Sequence, residues 1–182
     1  LPDLAEFLDR PEQFAGVHFF NPVPAMKLVE LGVLDTTTEQ VARTCREACE
    51  TMGKTVVELK AQPGYIVNRL LVPYILHAIE TLEQGVADAD AIDTAMKLGC
   101  GYPMGPLALA DLIGLDVVFA MAKTMHTELR DSRYRAPSLL RRLVLAGDLG
   151  RKTGSGIFDY TGEKTVENPA IHTAPREVVA AS

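Results

Sequence analysis

Residues 55–70 read TVVELKAQPGYIVNRL, and within this stretch the chain changes its period. The run TVVEL is β-branched and short, as a strand requires, and AQPG then breaks it. From Tyr65 onward the strand signals stop and apolar residues recur at helical spacing, with Pro or Gly between the runs. Upstream, residues 15–20 (AGVHFF) and 27–33 (KLVELGV) are again short, rich in β-branched and aromatic residues, and bounded by Gly, Pro and Asn. Both read as strands. Between the second and third strands, Val41, Cys45, Ala48, Cys49 and Met52 repeat at helical spacing; Thr37 with Gln40 offers a capping box, and Gly53 closes the helix. Residues 1–62 therefore read as a strand-helix-strand tail of an α/β sheet.

Downstream, five helices are expected in residues 63–160, and 161–182 read as a tail. The longest, over 65–84, carries Val67, Leu70, Leu71, Tyr74, Ile75, Ala78 and Leu82 on one broad face. Pro73 interrupts it, removes the donor to the Arg69 carbonyl and predicts a kink. Asp88 suits the N-cap of a second helix ending before Gly99, and Pro106 the first turn of a third that runs into Gly114. A fourth covers 116–129 with Val117, Ala120, Met121 and Met125 inward, and a fifth covers 137–146, ended by Gly147. The fold class is an α/β tail followed by an all-α helical domain, mainly α in this chain.

Composition narrows the partners. At 182 residues and 47% hydrophobic, the chain can bury a real core. A net charge of −6 argues against nucleic acid, whose phosphates call for a concentrated positive field. No apolar window reaches the length of a membrane span, and the opening LPDLAEFLDRPEQ lacks the pattern of a signal peptide, so a cytoplasmic location without membrane attachment is expected. Cys45 and Cys49 share a helix face, but with no histidine or second pair nearby they read as thiols of a reducing compartment, and no metal site is expected. The start without Met, in the middle of a turn or short helix, reads as that of a portion of a longer protein.

The chemistry centres on His18, in a strand ending FFNPVP, and Glu30, in the strand that follows. In a hairpin centred near Pro24 these two residues are equidistant from the centre and stand opposite each other on one face. A carboxylate on one imidazole nitrogen fixes the tautomer and stabilises the imidazolium, which is what a general base needs. A surface ion pair would look the same at this level. Asn21 just past the strand also suits a turn, and Asn68 near a helix start also suits a local backbone hydrogen bond.

Residues 18–24 (HFFNPVP), continuing through Met26-Lys27-Leu28-Val29-Glu30, resemble the segment around the catalytic histidine and its partner glutamate in the L-3-hydroxyacyl-CoA dehydrogenase family, of the 3-hydroxybutyryl-CoA type. Residues 64–70 (GYIVNRL) resemble the start of that family's C-terminal domain. Gly105-Pro106-Leu107 with Asp111 and Gly114-Leu115-Asp116 resembles a further family stretch, and residues 151–158 (RKTGSGIF) its closing motif. The resemblance covers about residues 10–160. It implies that 1–62 is the C-terminal end of a Rossmann-like NAD-binding domain and that 63–160 is a helical substrate and dimerisation domain. It further implies reversible hydride transfer between NAD and an (S)-3-hydroxyacyl-CoA. In that reading His18 takes the proton from the 3-hydroxyl, Glu30 orients it, and Asn68 hydrogen-bonds the reacting substrate. Asn21 contacts substrate or cofactor near the nicotinamide, and Lys152 reaches the dinucleotide; Gly105, Pro106, Asp111 and Asp116 are structural.

No GxGxxG follows a strand anywhere in the sequence: Gly99-Cys100-Gly101 follows a helix, and Gly154-Ser155-Gly156 has Asp159 where the third glycine belongs. The loop that holds the pyrophosphate is therefore expected outside this chain, and the chain alone is expected to be inactive. The broad apolar faces of the helices over 65–84 and 116–129 exceed what a domain of this size hides, so a homodimer through the helical domain is expected. The competing readings are a helical dimerisation or binding module without activity, a dehydrogenase fold that has lost its chemistry, and a dehydrogenase of a free 3-hydroxy acid.

Overall fold

The computed structural model describes residues 2–162 and 165–172, and the chain divides into two compact units, Leu1–Arg69 and Leu70–Ser182. The first unit opens with a one-turn helix α1 (Pro2–Ala5) and holds a three-stranded sheet in the order β1 (Gly16–Phe19), β2 (Leu28–Val33), β3 (Thr55–Lys60). β1 and β2 are antiparallel, and β2 and β3 are parallel, joined by helix α2 (Glu39–Thr51). The β2-α2-β3 crossover is the expected strand-helix-strand tail. Val29 and Leu31 on β2 are fully buried, and Ala42 and Cys49 on α2 are buried with them.

The helix starts one residue later than the capping box predicts. Thr38 is the N-cap and accepts from the Val41 N–H, while the Thr37 hydroxyl accepts from the Leu34 N–H and donates to the Phe14 carbonyl at 2.7 Å. Thr37 is thus spent on the strand-to-helix turn. Its neighbour caps. The inward face also differs: Ala48 and Met52 are exposed, and Ala42 is buried instead.

Helix α3 (Val67–Glu83) begins in the first unit and continues into the second, running through Pro73 without a break. After it come α4 (Ala89–Cys100), α5 (Pro106–Ile113), α6 (Leu115–Leu129) and α7 (Ser138–Ala146). Asp88 caps α4 as expected, accepting from the Ala91 N–H, and Pro106 opens α5; α4 runs on through Gly99 to the left-handed Gly101. The core of this unit gathers Val72, Ile75, Leu76, Ile79 and Leu82 of α3 with apolar residues of α5, α6 and α7.

On two helices the buried stripe keeps part of the expected one, Ile75, Ala78 and Leu82 of α3 and Met125 of α6, and departs from it elsewhere. Leu70 of α3 is 71% exposed while Val72, Leu76 and Ile79 are buried. On α6 the core takes Leu115, Val118, Ala122 and Met125, leaving Val117 and Ala120 outside. Both helices carry apolar residues on more than one face, so periodicity admits neighbouring stripes, and packing chooses. For α6 that packing is against α7 and the turn at Ser132–Tyr134.

The second unit is not purely helical, which corrects the all-α expectation. β4 (Phe158–Asp159) pairs with β5 (Val166–Glu167) in a two-stranded antiparallel sheet. The part of the expected tail that lies within the described residues is integrated into the unit: Asn168 and Ile171 are buried, and the Asn168 Nδ2 donates to the Gly156 carbonyl at 2.8 Å. Two-residue strands give too short an alternation to register as a pattern. Among the described residues no helix is long and apolar enough to cross a membrane.

Candidate active site

The cross-strand register of β1 and β2 sets His18 against Glu30. The His18 Nδ1 and the Glu30 Oε2 are 2.7 Å apart, with the imidazole 30% and the carboxylate 1% exposed. A carboxylate so deeply buried needs every lone pair answered. The second oxygen, Oε1, accepts the backbone N–H groups of Ile66 at 3.0 Å and Val67 at 2.9 Å. These are the amides at the start of α3, where the helix dipole also favours negative charge. With Nδ1 committed to Glu30, Nε2 is the ring nitrogen left to face a reacting group.

The turn that presents those amides has Gly64 at φ +79° and Tyr65 at φ +50°. The Tyr65 ring lies 5.4 Å from the His18 ring, centre to centre, and the Phe20 ring lies 4.5 Å from it. Burial and the neighbouring Glu30 carboxylate push the Tyr65 hydroxyl above its usual value. Asn68 follows directly on the two donating amides, in the first turn of α3, and is half-buried. Asn21 is exposed at the start of the loop between β1 and β2. That loop is held by Lys54, whose Nζ donates to the Val23 carbonyl at 2.5 Å and the Met26 carbonyl at 2.8 Å.

In the second unit Lys152 pairs through Nζ with Asp116 at the start of α6. That hydrogen bond holds the Asp116 carboxyl below its ordinary value. Asp111 anchors the 151–158 motif: its two oxygens accept the N–H groups of Ile157 and Phe158, each at 2.9 Å, and Oδ2 accepts the Tyr160 hydroxyl at 3.0 Å. Asp93 does the same for α5, accepting the N–H groups of Leu107 and Ala108 at 2.8 and 2.9 Å. Desolvation nevertheless raises both carboxyls above the ordinary value.

Comparison with known proteins bears on this arrangement. Residues 1–62 match the family model described as 3-hydroxyacyl-CoA dehydrogenase, NAD binding domain, and residues 64–160 match that described as 3-hydroxyacyl-CoA dehydrogenase, C-terminal domain. The chain belongs to the 3-hydroxyacyl-CoA dehydrogenase family. It is 49% identical over 163 residues to a 3-hydroxybutyryl-CoA dehydrogenase of Bradyrhizobium diazoefficiens, an alignment covering 90% of this chain and 56% of that protein. With the mitochondrial hydroxyacyl-coenzyme A dehydrogenase of Mus musculus the identity is 43%, over 88% of this chain and 51% of the relative. The crystal structure of (S)-3-hydroxybutyryl-CoA dehydrogenase from Ralstonia eutropha superposes with a TM-score of 0.83 at 44% identity, covering 88% of this chain and 56% of that one. The chain thus spans about half the length of the curated relatives it matches.

Of the residues singled out in the sequence of this dehydrogenase-family chain, His18 and Glu30 are in direct contact and Asn68 adjoins the amides that hold Glu30. Asn21 stands on the loop beyond the histidine strand, and Lys152 belongs to the second unit. Sequence reasoning missed Tyr65, the Ile66 and Val67 amides and Lys54. A backbone donor leaves no trace in residue identity. The Gly64-Tyr65 step before a helix was the available signal for the turn.

Proposed function

We infer that the protein to which this chain belongs oxidises (S)-3-hydroxyacyl-CoA to 3-oxoacyl-CoA reversibly, with NAD as hydride acceptor. The observation that carries this reading is the His18-Glu30 pair, with Nδ1 bound at 2.7 Å and Glu30 anchored on two amides. Nε2 of His18 takes the proton of the 3-hydroxyl as the bond to C3 gains carbonyl character, and returns it in the reverse direction. Glu30 keeps the proton of the neutral imidazole on Nδ1 and stabilises the cation formed. Asn68 donates to the substrate oxygen on which charge develops, and Asn21 contacts substrate or cofactor on the nicotinamide side.

The residues of this chain fit the proton-handling half of that chemistry. They do not supply the pyrophosphate site: the passage from β2 to α2, residues 34–38, is LDTTT and contains no glycine. For Lys152 to reach a dinucleotide, the phosphate would have to compete with Asp116 for its Nζ. We also infer a homodimer through the helical unit, supported by the apolar side chains of Leu70, Leu112 and Val117, which stand 71%, 50% and 41% exposed.

The test is the reduction of acetoacetyl-CoA by NADH, followed in the polypeptide extended to the full length of its relatives, with and without His18→Ala. Turnover should fall roughly 10²–10⁴-fold in the variant, with little change in NADH affinity. A variant turning over near the wild-type rate, with chemistry rate-limiting, would remove His18 from the reaction.

A further inference from the structure

A single hydrogen bond fixes one atom of an imidazole and leaves the ring free to swing about it. Nδ1 of His18 is held by Glu30, yet the direction of Nε2, the nitrogen that faces a reacting group, depends on what touches the ring plane. Two rings do. Phe20 lies at 4.5 Å and Tyr65 at 5.4 Å, centre to centre. Phe20 sits just beyond β1, two residues from His18, but Tyr65 comes from beyond β3, after the sheet has ended.

Tyr65 occupies a costly place. Its φ of +50° is a conformation that glycine or asparagine adopts readily and a tyrosine rarely does. The sheet also makes room for its ring. A Cβ at Gly32 would lie 2.7 Å from the Tyr65 Cε1, so any side chain there would displace the ring. Gly32 is two residues from Glu30 and therefore on the same face of the strand. The turn containing Tyr65 is also the one that aims the Ile66 and Val67 amides at Glu30. One residue thus meets both members of the pair, the histidine by its ring and the glutamate through the turn that its backbone shapes.

We propose that Tyr65 is a positioning residue that fixes the plane of the His18 imidazole, with Gly32 as the space that admits it. This rests on the reaction assigned above, in which Nε2 must point at one substrate atom. The aromatic face carries the role, and the phenolic oxygen is dispensable.

The test uses the full-length protein labelled with ¹³C,¹⁵N-histidine, in which the His18 resonances are identified by their loss in His18→Gln. Wild type should show one protonated and one unprotonated ring nitrogen for neutral His18. Tyr65→Phe should keep that pattern, the order parameter of the ring Cε1–H bond and the turnover. Glycine accepts a positive φ without strain, so Tyr65→Gly removes the ring while leaving the turn intact. It should leave the nitrogen pattern, which Glu30 sets, while lowering the order parameter of the ring Cε1–H bond, and it should lower kcat on acetoacetyl-CoA roughly ten- to a hundredfold, with KM nearly unchanged. Gly32→Ala, which pushes the ring aside, should change both readouts in the same direction. A wild-type order parameter and turnover in Tyr65→Gly, or loss of both in Tyr65→Phe, overturn the proposal. The imidazole signals need no substrate, so an inactive wild type refutes the reaction, while the ring order parameter still decides for or against Tyr65.

Discussion

The Glu30 carboxylate accepts the Val67 N–H at 2.9 Å, so a strand residue and the first residue of α3 are tied across 37 positions of sequence. In the reaction proposed above, Glu30 has two tasks, orienting His18 and holding the start of the helix that carries Asn68. Glutamine at this position separates them. Its single carbonyl can keep the two amides, but its NH₂ then faces Nδ1 and drives the imidazole proton to Nε2, where a base must be bare. Glu30→Gln should retain the fold and lower kcat on acetoacetyl-CoA by roughly 10²–10⁴-fold in the full-length protein. Turnover within about twofold of wild type in a rate-limiting chemical step would refute the orienting role.

Asp111 is 1% exposed and answers three donors, and Gly156 lies against it so closely that a Cβ there would come within 2.2 Å of its Oδ1. Asp111→Ala leaves two buried amides without acceptors, and Gly156→Ala drives the carboxylate off the same amides. Each should destabilise the second unit by about 2–4 kcal/mol. Because both act on one contact, the double variant should cost well below the sum. Calorimetric unfolding of the four proteins checks this, and full additivity would show that the two changes act separately.

Lys152 and Asp116 are both substantially exposed, so their coupling at neutral pH should be about 0.2–1 kcal/mol by double-mutant cycle with Lys152→Met and Asp116→Asn. The native Asp116 carboxyl lies below its unfolded value. Its contribution is therefore complete above the unfolded value and disappears as pH falls through the native one. The same cycle should read progressively less as the pH falls through that native value. An undiminished coupling there would mean that the contact is not ionic.

The isolated chain should not bind NADH with micromolar affinity. Its parallel β2 and β3 and the histidine pair are in place, but among the described residues no glycine-rich turn lets a helix N-terminus approach a pyrophosphate. Fluorescence titration of NADH against the chain measures this. Saturable micromolar binding would place the cofactor site on residues other than those assigned above.

Exposed apolar side chains on α3, α5 and α6 lead to the expectation of a homodimer. Light scattering at micromolar concentration should give twice the chain mass. A monomer mass across the concentration range would rule out pairing by this chain.

The sequence alone determined where one period gives way to the other, at Ala61-Gln62-Pro63-Gly64, and which residue opposes His18, because strand alternation and a hairpin centre are local properties. It also determined the family, through strings such as HFFNPVP whose side chains are themselves the signal. Which apolar stripe of α3 and α6 turns inward was decided only in the tertiary structure, since both helices carry more apolar positions than one face needs. So was the support of the His18-Glu30 pair. The Ile66 and Val67 amides and the ring of Tyr65 reach Glu30 and His18 across more than thirty residues of chain, and a backbone N–H is the same at every position except proline. Only the fold gives it a partner.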